Sequence, residues 1–119
     1  MATEHSSVLV ALKICVLFVI AGLFEIGGGW LMWQTLRKGK PYWMAICGGL
    51  ALVAYGAIAT LQSDSSFGRV FAAYGGGFIA LSFIWARVVD GMTLDTGDYI
   101  GGGLAVTGAA IIIFWPRNN

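Results

Sequence analysis

The chain reads as an all-α membrane protein of four transmembrane helices, and three observations carry that reading. Of its 119 residues, 58% are hydrophobic and 11% are charged, whereas a soluble domain has roughly a quarter of its residues charged. The mean hydropathy is +0.80. The charges cluster between apolar runs, and four of those runs reach the roughly 17–25 residues that a helix needs to cross a bilayer.

The first span covers about 8–36, starting at Val8 or Ile14 and ending at Leu36. The leader before it carries Glu4 and no Lys or Arg, unlike the basic start of a signal peptide, so this segment is expected to remain as a membrane helix. The link Arg37-Lys38-Gly39-Lys40-Pro41 is basic and holds two helix breakers. The second span covers about 42–61. A polar link from Gln62, with Ser63, Asp64, Ser65 and Ser66, leads to the third at about 69–86, opened by Arg69. A longer link from Arg87, acidic through Asp90, Asp95 and Asp98, precedes the fourth at about 99–115, which Pro116 and Arg117 stop. Links this short require sequential helices to run antiparallel in one four-helix transmembrane domain. Trp33, Tyr42, Trp43, Trp85, Tyr99 and Trp115 lie near span ends, where aromatic rings form a belt at headgroup level.

Several function classes are excluded. The net charge of +1 and the lack of a long basic run give nucleic acid no footprint. Cys15 and Cys47 lie in apolar segments, too few for a disulfide framework or a zinc site. His5, the single histidine, sits in the polar leader, so neither metal catalysis nor a nucleophilic triad has its imidazole in place. An enzyme, a bound metal and a cofactor are therefore not expected.

Glu25 is the exception to the apolar pattern, the one acid within any of these runs. Even forgiving insertion scales put an ionisable group at that depth at roughly 2.5–3.5 kcal/mol, and such groups mark ion or substrate pathways. On a helix it shares a face with Ala21, Gly22, Gly28 and Gly29. That leaves room for a close helix or a ligand. A carboxylate with so little solvation calls for a proton or a cation beside it, which is the chemistry of exchange between the two. The alternative is a Glu held by a neighbouring backbone or hydroxyl group, with no transport role.

Glycine occurs 18 times, mostly within spans. Gly75-Gly76-Gly77 in the third span is read either as a hinge for alternating access or as a close-packing site. Gly97, Gly101, Ala105 and Ala109 recur every four residues in the fourth span, with Gly108 seven after Gly101. Small residues at this spacing let helices approach in lipid, within one chain or across a dimer. Tyr74, inside the third span and one turn from Phe71 and Phe78, needs a partner for its hydroxyl, and Glu25 is a candidate. With an even number of spans, Lys13, Arg69 and Arg117 face one side and Arg37, Lys38, Lys40 and Arg87 the other. So even a division hardly selects a direction under the positive-inside rule, which points to dual topology.

Phe24-Glu25-Ile26-Gly27, the block Gly68-Arg69-Val70-Phe71-Ala72-Ala73-Tyr74-Gly75-Gly76, Arg87-Val88-Val89-Asp90-Gly91, and Asp98 with Ile100-Gly101 resemble the YnfA-type family of small membrane proteins. The resemblance covers nearly the whole chain after the leader, and the third-span block is its specific part. That family in turn resembles the small multidrug resistance transporters, four-helix antiparallel homodimers that exchange protons for cationic drugs at a membrane-embedded Glu. The likeness implies that Glu25 is the proton and substrate site and that Phe71 and Tyr74 are substrate-facing aromatics. It also implies that Gly76-Gly77 overlaps a hinge and that Gly101 and Gly108 pack a dimer. Tyr74 stands where those transporters usually have Trp, and the leader before Lys13 is longer than theirs.

The expectation is a homodimer in the bacterial cell membrane performing proton-coupled efflux of small hydrophobic or cationic compounds. Glu25 binds the cation, and Tyr74 and Trp30 offer aromatic faces for cation–π attraction. The rivals are a small ion channel, distinguished by large unitary currents, and an accessory subunit, distinguished by its stoichiometry with a larger membrane protein.

Overall fold

The computed structural model describes residues 2–62 and 66–117. Ser63, Asp64 and Ser65 of the second link lie outside the described residues. Four helices account for the regular structure among the described residues: α1 (Ala2–Lys38), α2 (Tyr42–Ala59), α3 (Phe67–Val88) and α4 (Thr96–Phe114). Each has a stretch long and apolar enough to cross a membrane. α1 packs on α2 and α3 packs on α4, giving two helical hairpins, each compact in itself.

In the first hairpin α1 runs for 37 residues against 18 in α2, or about 55 Å against about 27 Å at 1.5 Å per residue. The leader is part of α1, because nothing between Ala2 and Val8 breaks a helix. α1 ends at Gly39, whose φ of +68° is easy for glycine alone. Its N–H reaches the Thr35 carbonyl at 3.2 Å and the Lys40 N–H reaches that of Gln34 at 3.1 Å, an αL cap that satisfies carbonyls the helix leaves over. Pro41 follows and α2 begins. The two helices touch where their backbones can come closest. A Cβ built on Gly28 would lie 2.8 Å from the Gly48 carbonyl oxygen, and one on Gly48 would lie 2.6 Å from that of Gly28. At the far end the Gln62 side-chain amide donates to the Ile14 carbonyl at 3.3 Å. The turns of α1 before Ile14 therefore overhang α2, and Val8, Leu9, Val10 and Leu12 are exposed there.

In the second hairpin α3 runs unbroken through Gly75, Gly76 and Gly77. A Cβ on Gly76 would sit 2.6 Å from the Ala105 carbonyl oxygen and 2.8 Å from Ala109 Cβ, while one on Gly75 would meet nothing within 4 Å. Gly76 is thus the contact point with α4, and Ala105 and Ala109 of the small-residue ladder face α3 inside this hairpin. Gly101 and Gly108 do not: a Cβ on either would meet nothing within 4 Å.

α4 starts at Thr96, earlier than its apolar run, because Asp95 and Asp98 form a capping box. The Asp98 N–H donates to Asp95 Oδ1 at 2.8 Å and the Asp95 N–H to Asp98 Oδ2 at 3.1 Å. At the other end the Arg117 guanidinium donates to the Ile112 and Trp115 carbonyls at 2.8 and 3.2 Å, where a cation also complements the helix dipole. Asp95→Ala should lower the stability of the detergent-solubilised protein by about 0.5–2 kcal/mol, with Asp95→Asn retaining most of it. Equal thermal midpoints for wild type and Asp95→Ala would contradict the capping assignment.

The fully enclosed side chains are small or few. Ala21, Ile26 and Ala59 are the buried apolar residues of the first hairpin and Ala73, Tyr74 and Ala109 those of the second, while Leu23, Leu50, Val53, Ile84, Leu104 and Ile111 are among the many that are exposed. In water such a surface would aggregate. In a bilayer such a surface can meet lipid or further helices, and backbone proximity at glycine replaces the hydrophobic force between helices.

Candidate functional site

Glu25 stands at mid-helix in α1, three residues before the Gly28–Gly48 contact. Its side chain is half-buried, and the buried Ala21, Gly22, Ile26 and Gly28 surround its base. Its partner comes from α2: the Tyr55 hydroxyl donates a hydrogen bond to the Glu25 carboxylate. Both residues follow from the same packing. Gly48 sets the depth at which α2 meets α1, and Tyr55 lies two turns further along α2, on the side that meets α1. Buried Ala59, one turn beyond Tyr55, and buried Ala21, one turn before Glu25, continue the contact faces. A hydrogen bond to a charged acceptor is worth about 1.5–3 kcal/mol, which offsets part of the cost of holding a carboxylate at this depth.

The other sequence-selected residues fall in different places. Trp30 is half-buried on α1, but five residues from Glu25 is roughly 140° around a helix of 3.6 residues per turn. The two do not share a face. Phe71 and Tyr74 belong to the α3–α4 hairpin, where their ring centroids are 5.9 Å apart, and Phe67 stacks on Phe71 at 4.3 Å. Tyr74 is only 4% exposed. Among the described residues no group of three or more His, Cys, Asp or Glu is placed to hold a metal ion.

Tyr55 is the site residue that the sequence reading did not place. A signal was there: helices joined by a short link bring residues equally far from the link to the same depth. Glu25 lies 14 positions before Gly39 and Tyr55 lies 16 after it. Tyr55→Phe removes the donor and little else. It should destabilise the protein in detergent by about 1.5–3 kcal/mol, and an unfolding midpoint unmoved by the substitution would contradict the pairing.

What this arrangement can do chemically is limited and specific. It offers one half-buried carboxylate and a hydroxyl that can follow its charge state. That suits reversible binding of a proton or a cation.

Comparison with known proteins places the chain. Residues 11–118 match the family described as "Uncharacterised BCR, YnfA/UPF0060 family". A UPF0060 membrane protein of Clavibacter sepedonicus is 52% identical over 108 residues, covering 91% of this chain and 96% of the relative. One from Desulfitobacterium hafniense is 50% identical over 103 residues, covering 87% and 95%. One from Halalkalibacterium halodurans is 50% identical over 101 residues, covering 85% and 94%. No solved structure matches the chain. The protein is an integral membrane protein, and it belongs to the YnfA/UPF0060 family.

Proposed function

We propose that this protein is a membrane transporter that exchanges protons for small hydrophobic or cationic compounds, in the direction of efflux, with Glu25 as the shared proton and substrate site. The observation that carries this reading is a carboxylate at the middle of a membrane span that accepts a hydrogen bond from the Tyr55 hydroxyl. The rival is a Glu held by a hydroxyl group with no transport role, and gradient-driven uptake that survives Glu25→Gln would favour it. In the first hairpin Lys13 stands 12 positions before Glu25 on α1, and Arg37, Lys38 and Lys40 lie at the α1–α2 turn.

The cycle follows from charge balance. The ionised carboxylate binds a lipophilic cation, whose own delocalised charge costs little to desolvate. A proton arriving from the opposite side neutralises Glu25 and releases the cation there. The Tyr55 hydroxyl donates to the carboxylate in one state and can accept from the carboxylic acid in the other. Assembly as a homodimer is part of the proposal: one copy encloses Glu25 by only half, and a second would bring two carboxylates to a common cavity. Subunits inserted in opposite directions agree with the near-even division of Lys and Arg between the two sides.

Reconstituted vesicles test this directly. With a proton gradient imposed across the bilayer, the wild-type protein should drive accumulation of a lipophilic cation and dissipate the gradient in step. Cation flux that ignores the gradient would contradict exchange, and large unitary currents in planar bilayers would favour a channel.

A further inference from the structure

The α1–α2 turn has features that transport does not use. Within four positions it carries Arg37, Lys38 and Lys40, all exposed. The first turn of α2 contains no acidic residue. The carboxylates of this hairpin are Glu25, far down α1, and Glu4, near the opposite end. Three positive charges therefore stand together with no anion of their own hairpin beside them.

The turn is also fixed in shape. Besides the two cap hydrogen bonds at Gly39, the Thr35 hydroxyl donates to the Pro41 carbonyl at 3.0 Å, and the Met44 N–H donates to the same carbonyl at 3.1 Å. Thr35 and Gln34 are buried beneath it, at 6% and 7% exposure. These bonds satisfy carbonyls at the two helix ends, and in doing so they fix the positions from which Arg37, Lys38 and Lys40 project.

Aromatic rings set its depth. Trp33, Tyr42 and Trp43 are 51%, 80% and 61% exposed around the turn, the position that indole and phenol rings take at the headgroup level. The Arg37 guanidinium lies over the Trp33 ring, 4.7 Å from its centroid. This attraction holds the charge at the level of the ring. It leaves the in-plane N–H groups free to meet an oxyanion.

We propose that this turn is a preorganised docking surface for the phosphate headgroups of anionic phospholipids. Arg37 would bind a headgroup phosphate through its paired N–H donors, as guanidinium does best, while Lys38 and Lys40 supply point charge and Trp33 and Trp43 pack against the glycerol and upper acyl region. A headgroup is favoured over a soluble phosphate because the same turn presents cations and membrane-depth aromatics together. Each cation near an anionic surface is worth roughly fivefold in affinity, so three together contribute on the order of 100-fold.

The test uses the full chain purified in mild detergent and titrated with phosphatidylglycerol or phosphatidylcholine, reading retained lipid by native mass spectrometry. Wild type should retain phosphatidylglycerol preferentially, and the preference should weaken as salt is raised. The triple variant Arg37→Gln/Lys38→Gln/Lys40→Gln should lose that preference by a factor on the order of 100. The variant Lys13→Gln/Arg69→Gln, which removes charge elsewhere, should keep it. Inorganic phosphate at millimolar concentration should not displace the lipid. The proposal is overturned by equal retention of the two lipids, by a salt-independent preference in the wild type, by equal losses in both variants, or by displacement with inorganic phosphate. The wild-type salt series decides the matter even if the triple variant does not fold.

Discussion

Glu25→Gln is expected to abolish proton-coupled exchange, reducing cation uptake to that of protein-free vesicles, while the first hairpin stays folded. The substitution keeps the length and shape of the side chain and leaves an oxygen to accept from Tyr55, so the packing around Ala21, Gly22 and Gly28 has no reason to change. What disappears is the one carboxyl group that any of the four helices carries away from its ends. An amide cannot exchange a proton or balance a cation. The stability cost should stay within about 1 kcal/mol, because the hydrogen bond survives in neutral form. Two measurements on the same preparation check both halves: gradient-driven uptake in vesicles and the thermal midpoint in detergent. Uptake that persists would remove Glu25 from the mechanism. A collapsed midpoint would make the carboxylate a structural group.

The second large effect lies at the helix crossing. Gly48→Ala should destabilise the protein by about 1–2 kcal/mol, and Gly49→Ala should leave it unchanged or stabilise it by up to about 0.5–1 kcal/mol. Both substitutions gain the same conformational term from replacing a flexible glycine in a helix. They differ in what the new methyl meets. At Gly48 it would lie 2.6 Å from the Gly28 carbonyl oxygen, 3.0 Å from Leu31 Cβ and 3.1 Å from the Met32 nitrogen, whereas at Gly49 nothing lies within 4 Å. Two of the three obstacles at Gly48 are backbone atoms, which no rotamer change can move aside, so the helices themselves must separate. Separation also draws Tyr55 away from Glu25, and exchange should fall with stability. Unfolding of the two variants by titration with a denaturing detergent gives the comparison. Effects of the same sign and size would show that the Gly28–Gly48 contact does not hold the hairpin together.

Much of this architecture was legible in the sequence because lipid imposes a simple rule on length and polarity. The four spans follow from apolar runs, and Glu25 follows from the cost of placing a charge among them. The helix boundaries were less legible. Asp95 and Asp98 read as an acidic link, yet at a spacing of three they cap α4 and move its start back to Thr96. The leader reads as polar and separate, but a polar segment without breakers continues a helix as readily as an apolar one. The glycines show a different limit. Gly75 and Gly76 are alike in sequence, and the position of α4 makes Gly76 rather than Gly75 a packing residue. Likewise Tyr55 and Tyr74 are both tyrosines within spans. Helices that are apolar all round carry little information about which face meets which neighbour, so the Tyr55–Glu25 pairing emerges from the backbone approach at Gly28 and Gly48.

The most direct measurement is proton release from purified protein in weakly buffered detergent on addition of a lipophilic cation such as tetraphenylphosphonium. If Glu25 is the shared site, wild type releases protons saturably with added cation, Tyr55→Phe shifts the titration, and Glu25→Gln releases none. Binding of the cation with no proton release, or release that is the same in Glu25→Gln, would contradict the assignment of Glu25 as the group that trades one for the other.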